Sequence, residues 1–357
     1  MTAAGIIGGA AVPHAPQFFT LPDTEDHDQV ERMRVAMERV GAALLEAEPD
    51  VVVIATNDHL ENFFLHCVGS FTVHCGQEVK GSFGGRDFGW PVASDVSIDL
   101  VRRLQAEGFD PAFTHTAAIG YEFGIPLTFC GIPLDLPLVP IYVNAYVPPQ
   151  PSSERCYLFG RALQRAVEAG GLRAVMLASG GLSHYPGTDR YSTPDIAADE
   201  LLLERMRAGN LRALLAYDDD ALDFTGNAEV RSWQILAGAL GERVPDDFHR
   251  ETSWHHDYAM LGWTSEVAAA RPELHYPPVR ADRIALSSAL FRLRLDKDAR
   301  RQFIDDPEGY AAQYDLDAEE REALIALDEA AFQKLGVHAL LGFLARLQVD
   351  IQRQAPA

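Results

Sequence analysis

The sequence predicts an α/β protein: a mixed central sheet flanked by helices on both faces, followed by a small all-α C-terminal domain. Three observations carry this expectation. Short runs rich in aliphatic and β-branched residues alternate with longer segments of helical periodicity. Apolar residues make up 47% of the 357, ample for a real core. After Ala270 the character changes, because prolines cluster and the β-branched runs then stop.

In chain order, GIIGGAAV (Gly5–Val12) reads as the first strand and Asp28–Glu48 as a helix. Val51–Thr56 follows Pro49-Asp50 as a buried strand, and Phe71–Cys75 as another. Helical patterns at Ser94–Glu107, Glu154–Ala169 and Pro194–Ala208 enclose strand-like runs at Leu136–Val143 and Arg173–Ser179. A helix after TGNAE should carry Glu229 in its first turn, with Asn227 as its cap. Tyr258–Val267 is expected to return to the sheet. RPELHYPPVRADR, with three prolines, reads as a linker, which divides the chain into domains 1–272 and 283–357. In the second, Ala289, Leu290, Leu293 and Ala323, Leu324, Leu327 have helical spacing, and Asp317 is a plausible N-cap.

Thirty Lys and Arg stand against 52 Asp and Glu, a formal charge of −22. Such a surface repels phosphate backbones and anionic lipid, so neither nucleic acid nor a membrane is expected as a partner. A small anionic substrate is not excluded, since a distant field is screened within about 8–10 Å. The four cysteines (Cys67, Cys75, Cys130, Cys156) form no C-x-x-C pair and read as reduced thiols. With no apolar run of membrane-spanning length and no signal-peptide pattern at the start, a cytoplasmic protein is expected.

Four segments place polar, chemically able residues where strands or helices begin and end. They are VPHAP with His14, TNDH with His59, GGLSHYPG with His184, and GNAE with Glu229. Singly, each has an ordinary reading. A carboxylate at a helix N-terminus is favoured by the dipole alone, and Asp58 can simply cap a turn. Together they say more. Two strands of one sheet end in histidine, and a carboxylate from another element could meet them at that edge. Two neutral imidazoles and one carboxylate suit Fe(II) while leaving coordination positions open.

In this order the four motifs resemble the class III extradiol dioxygenases, the family of protocatechuate 4,5-dioxygenase, over about Gly5 to Val267. The tail from ALFRLRLDKDARRQFIDDPEGY onward resembles the small helical subunit of that enzyme, fused here to the catalytic chain as in gallate dioxygenases. The resemblance implies His14, His59 and Glu229 as ligands of Fe(II), and His184 as an acid/base histidine near the metal but not bound to it. It implies that Asn57 and Asp58 fix the orientation of the ligand rings. It also implies a small catechol-type aromatic substrate cleaved with O2, a homodimer by analogy, and a tail that covers the mouth of the site. Two departures bear on the substrate. Tyr121, in GYEFGIPL, stands where the family has a second active-site histidine, so it is expected to orient the substrate. ETSWHHDYAMLGW, with Trp254, His255 and His256, replaces small polar residues that hold the substrate carboxylate, so His256 is a candidate substrate contact. Ring cleavage of a 2-aminophenol-type compound, and a non-catalytic metal-binding role, are the competing expectations.

Overall fold

The computed structural model describes residues 4–265, 267–268, 276 and 278–354. The chain divides into two compact units, Met1–Ala270 and Arg271–Ala357. Much of the proline-rich linker, residues 271–275 and 277, lies outside the described residues.

The first unit is built on strands β1 (Gly5–Val12), β2 (Val51–Asn57), β3 (Phe71–His74), β4 (Glu78–Phe83), β5 (Arg86–Pro91), β6 (Ala112–Thr114), β7 (Leu138–Val143), β8 (Arg173–Ser179), β9 (Asp247–Thr252) and β10 (Asp257–Trp263). Eight of them form one mixed sheet in the order β6-β3-β7-β2-β8-β1-β10-β9, and β4-β5 is a separate hairpin. The central block β7-β2-β8-β1 is wholly parallel. Strand β10 runs antiparallel to β1, so its beginning lies beside the C-terminal ends of that block. One apolar layer packs the sheet against helices Ser94–Ala106, Ser153–Ala169 and Val230–Leu240. The other packs it against His27–Leu45 and Tyr121–Phe129. Because both faces are covered, β2 and β7 are buried at every position, which is why they read as continuous apolar runs.

Helix Val230–Leu240 is buried at every residue. It crosses helix Ser153–Ala169 with backbone against backbone. A Cβ placed on Gly160 would lie 1.9 Å from the Ile235 carbonyl oxygen, and one on Gly238 would lie 1.9 Å from that of Tyr157.

The alternating α/β pattern, the major strands and the major helices fall where the sequence places them. Several features differ, among them helix Tyr121–Phe129 and the short strand β6, which the sequence reading does not place. The β4-β5 hairpin turns on Gly84-Gly85, both at positive φ (59° and 75°), a two-residue glycine turn that favours hairpins. The edge strand β9 (DFHRET) is half-exposed and charged, so it has no apolar run to announce it. Asn227 does not cap the following helix. Glu229 occupies that position, and the Asn227 amide donates instead to Asp199 and to Thr225. The tertiary partner wins over the local one.

The second unit is all helical, with Ile284–Leu295, Lys297–Asp305, Pro307–Ala311, Ala318–Ala326, Glu329–Lys334 and Ala339–Gln354. It has its own core, including Leu290, Leu293, Phe303, Leu324 and Phe332. Asp317 caps Ala318–Ala326 in a reciprocal capping box with Glu320. Among the described residues, no helix is long and apolar enough to cross a membrane. All four cysteines carry free thiols.

Candidate metal centre and its surroundings

The parallel block delivers one side chain from each strand to a common edge. His14 follows β1, His59 follows β2, His184 follows β8, and Tyr146 follows β7. In open α/β sheets this carboxyl edge is where ligands bind. Glu229 reaches it from the turn before helix Val230–Leu240, and Tyr121 and Glu122 from the first turn of helix Tyr121–Phe129.

His14, His59 and Glu229 each offer one ligand atom, and these atoms all lie within 4.8 Å of one another. His14 Nε2 is 3.3 Å from Glu229 Oε2, and His59 Nε2 is 3.1 Å from Glu229 Oε1. The His14 Nδ1 lies 2.7 Å from the Ser179 hydroxyl, an interaction that leaves its buried Nε2 without a hydrogen-bond partner. Imidazole lone pairs and a carboxylate that face one another at this range need a proton or a cation between them. Without a cation, protons fill the role. Burial alone would lower the His59 pKa, but Glu122 and Glu229 outweigh it and raise it to about 10. Burial alone would raise that of Glu229, yet the facing His14 and His184 hold it well below the usual carboxylate range. The donor set and the convergent unpartnered nitrogen therefore fit a divalent metal ion.

His184 stands beside this group and not in it. Its Nδ1 is 2.8 Å from the Leu182 carbonyl, which can only accept, so Nδ1 carries the hydrogen and Nε2 faces the centre. That Nε2 is 3.3 Å from the Tyr146 hydroxyl and 3.6 Å from Glu229 Oε1. Burial disfavours the imidazolium, but the Glu229 charge outweighs it and the His184 pKa is raised.

Of the two residues expected to orient the ligands, only one touches them. The Asn57 amide lies 3.0 Å from His59 Nε2 and donates to Glu229 Oε1 at 3.2 Å. Asp58 instead accepts from the backbone N–H groups of Asn62 and Phe63 and from the Asn62 amide. It ties down the loop after His59, as its turn-capping reading expects. The carboxylate that does face the His59 ring is Glu122, 3.8 Å from Nδ1 and buried.

Tyr121 stacks on the His59 ring at a centroid distance of 4.8 Å and 21°. His256, just before β10, stacks on His184, and its buried Nε2 has no partner. His255 turns away: its Nε2 is 3.2 Å from Glu25, which also accepts from the Trp254 indole.

Sequence reasoning missed Tyr146 and Glu122. Tyr146 donates to Glu229 Oε1 at 2.7 Å. It sits just past a core strand, as His14 and His59 do, and that position was the available signal. Glu122 lies inside GYEFGIPL, where the neighbouring tyrosine drew the reading.

Residues 8–268 match the family described as the catalytic LigB subunit of aromatic ring-opening dioxygenase. The chain is 32% identical over 184 residues to a 2,3-dihydroxyphenylpropionate/2,3-dihydroxicinnamic acid 1,2-dioxygenase of Burkholderia vietnamiensis, covering 51% of this chain and 55% of that one. A protein of Klebsiella pneumoniae with the same name is 28% identical over 193 residues, 54% of this chain and 59% of its own length. The chain thus spans little more than half the length of these curated relatives. A crystal structure of an uncharacterized Escherichia coli K12 protein aligns with 72% of this chain and 99% of its own at 13% identity and a TM-score of 0.46, too loose a likeness to carry an argument. The family match covers most of the first unit and contains His14, His59, His184 and Glu229, so the chain belongs to the family of catalytic LigB subunits of aromatic ring-opening dioxygenases.

Proposed function

We propose that the protein is an Fe(II)-dependent extradiol dioxygenase that opens the ring of a catechol-type aromatic with O2. The observation that carries this reading is one arrangement: two imidazoles and a carboxylate converge, while a third imidazole stands beside them outside the set. A site that only stored a metal would have no use for the unligated one.

In this reading His14, His59 and Glu229 hold the iron, and the hydrogen bonds from Asn57 and Tyr146 keep the Glu229 carboxylate in place. Bound Fe(II) would bring two adjacent ring oxygens and dioxygen together and let electrons pass between them. His184 Nε2 takes a proton from a substrate hydroxyl and returns one as the ring opens, service worth about 10²–10⁴-fold in rate. Tyr146, which gives its one hydrogen to Glu229 Oε1, can accept from that nitrogen once it is protonated. Tyr121 and His256 form two walls and orient the ring and its substituent.

Protocatechuate, gallate and 2,3-dihydroxyphenylpropionate are the substrates to compare, the last because the curated relatives are named for it. The C-terminal unit is proposed as a small-subunit-like domain fused to the catalytic one, and the protein as a cytoplasmic homodimer. The test is anaerobic reconstitution with ferrous iron, followed by oxygen uptake and appearance of a ring-opened product on a panel of catechols and 2-aminophenol. Iron uptake without oxygen consumption on any of them would leave a metal-binding relative that is not a dioxygenase.

A further inference from the structure

Helix Ile196–Arg207 carries none of the residues assigned to the metal centre, yet its Asp199 touches two of the loops around it, the one that carries His184 and the one that carries Glu229. Asp199 is fully buried. Its Oδ1 accepts from the Ser183 N–H at 3.1 Å and from the Asn227 amide at 3.0 Å, and its Oδ2 accepts from the Ser183 hydroxyl at 2.5 Å. Ser183 directly precedes His184, and Asn227 stands two residues before Glu229.

The same two loops also meet directly, where the Gly181 N–H donates to Glu229 Oε2. The His184 N–H donates to the Gly226 carbonyl at 3.1 Å. Gly226 has φ +70°, and a Cβ there would lie 2.8 Å from the His184 carbonyl oxygen. The loops are therefore nested without spare room, and their mutual register passes through the His184–Gly226 backbone bond, the bond from the Gly181 N–H to Glu229 Oε2, and the Asp199 carboxyl group.

Burying a carboxyl group is costly unless its hydrogen-bonding capacity is filled. Among the described residues no arginine or lysine is a hydrogen-bond partner of Asp199; Arg250 engages Asp257 and Glu200, the residue next to Asp199. Three donors from two loops fill that capacity. An apolar residue of the same size would leave all three donors unmet.

We infer that Asp199 is a positioning residue: it clamps the His184 loop to the Glu229 loop and thereby sets where His184 Nε2 stands relative to the carboxylate ligand. The inference rests on the dioxygenase reading for its effect on rate, though not for its geometry. Displacement of a proton carrier by about 1 Å can cost on the order of 10²-fold. Asp199 therefore matters to turnover without touching substrate or metal.

The test compares Asp199→Asn with Asp199→Ala in the full chain. An asparagine keeps an acceptor for the two N–H donors and can donate to the Ser183 hydroxyl, so kcat per bound iron should stay within about threefold of wild type. Alanine should lower kcat per bound iron about 10–100-fold with KM little changed. Titration of the metal-free protein with Zn(II) should show affinity within about tenfold of wild type. A crystal structure of the metal-free Ala variant should show the 3.6 Å spacing of His184 Nε2 and Glu229 Oε1 altered. Wild-type kcat per bound iron with that spacing unchanged overturns the inference. If Asp199→Ala does not fold, Ser183→Ala removes one of the three bonds and should still lower kcat per bound iron several-fold, with no change overturning the inference. Should the wild-type protein open no ring, the dioxygenase reading fails, while the spacing in the variant still decides the role of Asp199.

Discussion

The imidazoles of His184 and His256 lie face to face, their centroids 4.1 Å apart and their planes within 9° of parallel. Two stacked rings cannot both carry a proton cheaply. Burial, and then the charge of His184, hold the His256 pKa well below the ordinary histidine value. His184 is the one that faces Glu229, so of the two rings it is His184 that takes up a proton more readily.

Replacing His184 by Ala should leave metal content intact and slow turnover at least about 10²-fold. His256→Ala removes the stack together with one wall of the site, and loss of the stack alone should cost about 2–10-fold, the kinetic equivalent of the ~0.5–1.5 kcal/mol an aromatic pair supplies. His256→Phe should recover most of that. Metal analysis and steady-state kinetics on the three proteins check it; loss of metal from His184→Ala would make that residue a ligand.

His14→Ala, His59→Ala and Glu229→Gln should each lose metal and activity together, because a three-ligand site loses much of its chelation with one ligand. Metal content after reconstitution and desalting is the measurement. Full occupancy in His59→Ala would remove His59 from the set.

Tyr121→Phe keeps the ring that stacks on His59 and deletes only the hydroxyl. Burial, and then the charges of Glu229, Glu122 and Glu61, push the phenol pKa up, so Tyr121 exchanges no proton near neutrality. The expected outcome is unchanged metal content with an altered KM or substrate preference. Identical kinetics across the catechol panel would show that the hydroxyl contacts no substrate.

The contribution of Asp199 to stability should fall as pH rises toward neutrality. Burial, with help from the Asp257 charge and against the bonds from Ser183 and Asn227, raises the Asp199 pKa from 3.8 to about 7. A folded-state pKa above the unfolded one gives stability that is full below about pH 4 and lost as pH climbs through about 7. Asp199→Asn has no such proton to lose. Chemical denaturation from pH 5 to 8 should show wild type losing stability relative to the variant as pH rises; parallel curves would refute it.

The sheet was legible because its central strands are buried on both faces and so write uninterrupted apolar runs. The histidines were legible because each breaks such a run at its carboxyl end. Tyr146 occupies the same kind of position, but tyrosine is also an ordinary core residue, so position alone did not single it out. Asn227 reads as a helix cap until Asp199, 28 residues away, claims its amide. Local grammar describes what a residue can do within a few positions. It cannot register a partner brought in by the fold. Asp58 and Glu122 show the same limit in exchange: the carboxylate adjacent to His59 in sequence serves the loop, and the one facing its ring comes from a helix begun more than sixty residues later.

The crossing at Gly160 and Gly238 has a practical consequence for anyone wishing to alter this protein. Two helices locked carbonyl to glycine cannot slide without colliding, so the carboxylate at the head of one is a fixed datum. Variation aimed at new substrates belongs away from that crossing, at Leu60, Phe64, Leu65 and Trp254, whose side chains are exposed enough to change. Even the smallest enlargement at either glycine would move Glu229 from a distance, disabling the site through a mutation no inspection of its walls would flag.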